Sequence, residues 1–214
     1  MSWGYFHFGR YSFSTPGWWV PKAKPDTAKK EKAFTVEDPA ANYLRWAAQQ
    51  GISNTFTEWK VIQHPDFPGQ KVEVGGIDPY VMNNPPYKMA DAVVKKNTEF
   101  LVKLASYQAE IDIVNLKTEK LANGLTRISL DVVNKGNFST HSKLGERNYF
   151  LKKVKVALQT TAAQDVIGGR KIQLLNSIEA NGSNSFSWVV KGTGKLTVEA
   201  GCPTAGTKTI EINL

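Results

Sequence analysis

Ser185–Gly201, SFSWVVKGTGKLTVEAG, is the stretch whose reading decides the fold. Apolar side chains recur at every second position through Phe186, Trp188 and Val190, and again through Leu196, Val198 and Ala200. That period of two marks strands, and Gly192-Thr193-Gly194 between them marks a turn. The stretch therefore reads as a β-hairpin, with Trp188 buried between two sheets. The same pattern extends on both sides. Seven short strands are expected, at 110–117, 126–134, 150–160, 171–178, 184–191, 195–200 and 207–214. Turn signals such as "NKGNFSTHSKLGE", "VIGGR" and "EANGSN" separate them. This density of short strands predicts an immunoglobulin- or fibronectin-like β-sandwich over 106–214. Cys202 is the only cysteine, so the sandwich lacks an internal disulfide.

Residues 1–105 read differently, as an α+β segment. Trp3, Tyr5, Phe6, Phe8, Tyr11, Phe13, Trp18 and Trp19 crowd the start, and Tyr5–Phe13 is expected to be a strand ended by Pro16 and Gly17. A strand this aromatic is expected to lie inside a larger sheet with its neighbouring strands upstream, as in a fold entered in its middle. A Pro- and Lys-rich connection is expected at 21–36. A helix follows, with Asp38 as N-cap, Pro39 in its first turn and Gly51 as its stop. "FTEWKVIQ" and "QKVEVGG" read as two strands joined by "HPDFPG", with Phe56, Trp59 or Val61 directed inward. His64 precedes a proline and is held towards extended backbone, the position of a turn residue. Residues 86–104 read as a second helix, with Met89, Val93, Phe100, Leu101 and Leu104 forming a core face.

Composition narrows the function classes. The net charge of +8 is shared by both halves, 13 basic against 10 acidic residues up to Ala105 and 14 against 9 after it. This is a solvated basic surface rather than a phosphate-binding stripe, so no nucleic-acid partner is expected. No apolar run approaches the ~18 residues of a membrane span, and the first residues lack the pattern of a signal peptide. Gly75-Gly76 and Gly168-Gly169 fit neither a dinucleotide fingerprint nor a P-loop, and no G-x-S-x-G or H-E-x-x-H motif occurs. Cys202 has no neighbouring histidine. No catalytic, metal-ligating or cofactor-binding residue is assigned. The one candidate binding surface is Trp18-Trp19, two aromatics placed after a Pro-Gly turn where they could stack on sugar rings. Burial against the helix or the sandwich is the competing reading of that pair.

The order of "SFSTPGWWVPK" (12–22), "DPAANYLRW" (38–46) and "FTEWKVIQHPDFPGQKVEVGGIDPYVMNNPP" (56–86), then a helix and a sandwich containing "VVNKGNFSTH" (132–141), resembles the C-terminal part of bacterial zinc carboxypeptidases of the M14 type. The resemblance implies the end of a peptidase domain up to residue 105, followed by an accessory sandwich. It also implies a periplasmic or secreted parent protein. The family's upstream H-x-x-E and third histidine have no counterpart in this sequence. Its general-base glutamate is expected near the first aromatics, yet "RYSFSTPGWWV" (10–20) contains no acid. Zinc peptidase chemistry needs three protein ligands and an activated water. The chain is therefore expected to be a non-catalytic fragment without a cofactor, its sandwich structural or binding in role. The expected partner is an upstream peptidase domain or a cell-surface component, with homo-oligomers forming through the N-terminal strand. The alternatives are a glycan or cell-surface binding module, or part of an active carboxypeptidase whose zinc-binding half lies upstream.

Overall fold

The computed structural model describes residues 2–25 and 38–214. Of the connection expected at 21–36, residues 26–36 lie outside the described residues. The chain divides into two compact units, Met1–Ser14 with Leu101–Leu214, and Thr15–Phe100. This differs from the 1–105 and 106–214 division expected from the sequence: the first residues group with the sandwich.

In the larger unit, β3 (Ile111–Lys120), β4 (Leu125–Asn134), β8 (Ser183–Gly192) and β6 (Gln164–Gly168) form one antiparallel sheet, in the order β3-β4-β8-β6. The second sheet has the order β10-β9-β5-β7, from β10 (Gly206–Asn213), β9 (Lys195–Cys202), β5 (Val154–Gln159) and β7 (Ile172–Leu175). Their inward residues share one core. Ile128 faces Trp188 and Leu130 faces Phe186 across β4 and β8, while Val156 faces Ala200 and Leu158 faces Val198 across β5 and β9. Each fully buried side chain of this kind contributes ~1.5–3 kcal/mol, so this core dominates the stability of the unit. The fold is thus mainly β, two four-stranded sheets around an apolar interior.

Two expectations fail here for physical reasons. β8 and β9 do not form a hairpin, because β8 pairs with β4 and β6 while β9 pairs with β10 and β5. Gly192 and Gly194, at φ +127° and +94°, carry the chain from one sheet to the other. β6 went unread because Gly168-Gly169 resembles a turn; it is a short edge strand ending at that pair.

Tyr5–Phe13 is not a strand either. Ser2–Phe8 forms a helix, α1, closed by Gly9 at φ +62°, whose N–H donates to the Tyr5 carbonyl at 2.9 Å. That is a left-handed glycine cap, and it outweighs the strand preference of the aromatics. The expected pairing of chains through this strand has no strand to build on.

In the smaller unit, α2 (Pro39–Gln49) begins as expected, with the Asp38 carboxylate accepting the Ala40 N–H at 2.8 Å. Tyr43, Trp46 and Ala47 pack with Val20 in a small core. Asn42 fixes the incoming chain, accepting from Ala23 N–H and donating to Pro21 carbonyl. β1 (Phe56–Ile62) and β2 (Val72–Ile77) form the expected hairpin, but Phe56, Trp59 and Val61 are exposed rather than inward. A two-stranded ribbon has no second layer in this unit to bury a face. Trp59 instead lies along Gly75 and Gly76, whose missing side chains let the backbones approach. α3 (Tyr87–Ala105) forms as a helix, yet none of its residues is buried and Phe100 and Leu101 are exposed. Met89 packs against the small core and Val93 and Leu104 are half-buried, so the stripe is only in part the core face expected.

Candidate functional site

The most elaborate local construction is the long β4–β5 connection, residues 135–153, which clasps the chain at Gly9–Phe13. Ser142 Oγ donates to the Gly9 carbonyl at 2.8 Å and accepts the Gly145 N–H at 2.9 Å. Asn148 Nδ2 donates to the His7 carbonyl at 3.1 Å. Gly9 and Gly145 meet backbone to backbone: a Cβ on Gly145 would sit 2.6 Å from the Gly9 carbonyl oxygen, and one on Gly9 2.6 Å from Gly145 Cα. Further along, Tyr11 and Phe13 stack on Phe138 at centroid distances of 5.1 and 5.6 Å, with Tyr107 edge-on to the same ring. The Tyr11 hydroxyl bonds Ser139 Oγ.

Two buried polar residues hold the clasp. His141 is tied on both ring nitrogens, to Thr140 Oγ1 at 3.1 Å and the Lys152 carbonyl at 3.0 Å. The Lys152 carbonyl can only accept, so Nε2 carries the hydrogen given to it and Nδ1 of that tautomer accepts from Thr140 Oγ1, which itself accepts the Ile178 N–H. Asn134, at the end of β4, accepts the N–H groups of Glu110 and Gly136, and its amide donates to the carbonyls of Phe138, Ile178 and Glu179. Nearby, the Glu146 carboxyl is shifted below its ordinary value, chiefly because Ser177 donates to it at 2.8 Å, with Lys143 adding a second bond.

Between this clasp, the end of α3 and Pro203-Thr204 lies a half-open cavity of about 500 Å³. Tyr11, Phe13 and Phe138 form its aromatic wall, and Arg10 lies at its edge. On the outer face of the β3-β4-β8 sheet, Asp131 accepts from Ser185 at 2.6 Å and Asn115 at 2.7 Å, in that order the main reasons its carboxyl titrates low.

The candidate pair Trp18-Trp19 is split. Trp18 is half-buried against Trp46, centroids 5.8 Å apart, and its Nε1 is buried without a hydrogen-bond partner among the described residues. Trp19 is 73% exposed. His64 sits in the hairpin turn as expected, its Nδ1 accepting the Asp66 N–H at 3.2 Å and its carbonyl accepting Phe67 N–H. Cys202 is buried with Sγ 3.1 Å from Thr204 Oγ1. Among the described residues, no group of three or more His, Cys, Asp and Glu side chains is arranged to hold a metal, and no helix is long and apolar enough to cross a membrane.

Sequence reasoning overlooked the clasp, although one signal was present: connections longer than ~12–15 residues are uncommon and usually functional. The Gly145→Ala variant should open it. Trypsin cleavage after Arg10 is expected to accelerate about tenfold, the factor that corresponds to ~1.4 kcal/mol. The cooperative melting of the sandwich should be retained.

Residues 110–213 match the family model of a domain of unknown function, DUF8731. No curated protein matches the sequence. Among solved structures the chain is similar to DesR, a β-glucosidase from Streptomyces venezuelae in complex with D-glucose, at 13% identity and a TM-score of 0.25. That alignment covers 50% of this chain and 15% of the β-glucosidase.

Proposed function

We propose that the chain is a non-catalytic accessory portion of an M14-type zinc carboxypeptidase-like protein that acts outside the cytoplasm. In this reading the sandwich supports and positions a peptidase domain. The observation that carries it is the clasp. A connection between two strands is built around the backbone of a segment more than 120 residues away, through Ser142, Asn148 and the Gly9–Gly145 contact. Such a device serves a module whose work is to hold incoming chain in one orientation. The sheet orders support an immunoglobulin-like arrangement: β3-β4-β8-β6 corresponds to strands ABED, and β10-β9-β5 to GFC, with β7 added. The exposed apolar side chains of Phe56, Trp59, Val61 and Val74 support reading residues 15–100 as part of a larger domain, since such surface is normally covered.

Metal analysis and a C-terminal residue release assay on chelator-free protein test the reading. Neither bound zinc nor release is expected; stoichiometric zinc with turnover would overturn it. The same assay on a longer reading frame distinguishes the case in which a zinc-binding half lies upstream. A glycan- or cell-surface-binding role draws on one observation, the exposed ring of Trp19.

A further inference from the structure

We propose that the lobe formed by α1 and residues 145–153 docks on an anionic phospholipid surface. The proposal stands independently of the accessory role, because the clasp takes hold of the backbone of α1 and leaves Trp3, Phe6, Tyr149 and Phe150 exposed. Asn148 and Ser142 take the carbonyls of His7 and Gly9, and the Gly9–Gly145 contact draws α1 and the loop together. Both pieces then present aromatics to solvent: Trp3 and Phe6 at 66% exposure each, Tyr149 at 95% and Phe150 at 76%. Neighbouring rings brace one another, Trp3 edge-on to Phe8 at 4.8 Å and Tyr149 edge-on to Phe150 at 5.8 Å. Large exposed apolar groups on two segments that the clasp holds together mark an interaction surface.

Charge selects the occupant. Arg147, Lys152 and Lys153 are exposed in the loop and Arg10 is exposed two residues beyond α1, and none of them is ion-paired among the described residues. The one acid in the loop, Glu146, is already bonded to Lys143 and Ser177. A second copy of this lobe would meet four unpaired cations with four more. An anionic bilayer meets them with opposite charge, and its headgroup region is where Trp and Tyr rings settle, apolar body inward and polar edge in water. A seven-residue helix is far too short to span; it lies in the interface. Apolar insertion and basic attraction are the two signals that together give stable peripheral binding.

Co-sedimentation with phosphatidylcholine vesicles, and with mixed phosphatidylglycerol–phosphatidylcholine vesicles, tests this. Partition onto the mixed vesicles is expected, falling as salt is raised, with a blue shift of Trp3 emission. Each cation near such a surface is worth about fivefold, so Arg147→Gln, Lys152→Gln and Lys153→Gln together should lower partition roughly a hundredfold. Tyr149→Ser with Phe150→Ser should abolish the insertion at unchanged melting temperature, and Trp3→Ser provides a check away from the clasp loop. Equal partition onto neutral vesicles, no partition, or wild-type partition by both aromatic variants would overturn the proposal. Self-association that accounts for the sedimentation without lipid would do so as well.

Discussion

Asn134→Leu should destabilise the sandwich unit by about 3–5 kcal/mol, a large share of the 5–15 kcal/mol by which domains of this size are stable. The side chain is 1% exposed and makes five hydrogen bonds, all to backbone. Leucine fills nearly the same volume, so the loss is polar. The N–H groups of Glu110 and Gly136 and the Phe138 carbonyl lose their partner together, while the Ile178 and Glu179 carbonyls keep only the N–H groups of Thr140 and Gly182. Buried groups left unpaired cost ~1–3 kcal/mol each, and the Gly136 N–H has no route to solvent without local opening. Asn134→Asp keeps both acceptor bonds but turns a carboxylate oxygen towards three carbonyls, and it should be no more stable than leucine. Denaturant titrations of the three proteins measure this; a leucine variant within ~1 kcal/mol of the parent would contradict the role assigned to Asn134.

Trp188→Ala should cost a comparable ~3–5 kcal/mol, by a different route. The indole is 1% exposed at the centre of β8, stacked on Phe186 at 6.0 Å and directly against Gly169. Truncation leaves a cavity bounded by strands of both sheets, which are hydrogen-bonded along their lengths and have little freedom to close it. It also strips the Arg170 carbonyl of its donor, Trp188 Nε1 at 2.9 Å. Trp188→Phe keeps most of the volume and loses the hydrogen bond, so its melting temperature should fall between those of alanine and the parent. An alanine variant that melts like the parent would show that the core tolerates the void.

Strand alternation in the second half, the Asp38-Pro39 helix start and the proline turn at His64 were legible in the sequence because each is local. A period of two shows which side chains point inward. It does not show whether successive strands lie side by side or face one another across a core. Trp188 and Val190 on β8, and Leu196 and Val198 on β9, satisfy both arrangements, so the crossover was read as a hairpin. In the first residues the aromatics argued for a strand, while the decisive local fact was one glycine able to cap a helix. For the clasp, Asn134, Ser142 and Gly145 look like ordinary turn residues, and their partners lie far away in sequence. Only the length of the connection was visible, and it was divided between a turn and an early strand start.

The contact of Gly9 with Gly145 also sets an order of events during synthesis. The first segment leaves the ribosome early, but its binding partner follows only after some 135 residues more have been made. At ~5–20 residues per second that is a delay of roughly 7–27 s, spent with Tyr11 and Phe13 lacking the Phe138 ring on which they stack. Closing so long a loop before the sandwich exists is entropically unfavourable, so the segment docks last, onto a finished surface. A nascent chain with this arrangement depends on holding those rings away from other chains until its own second half arrives.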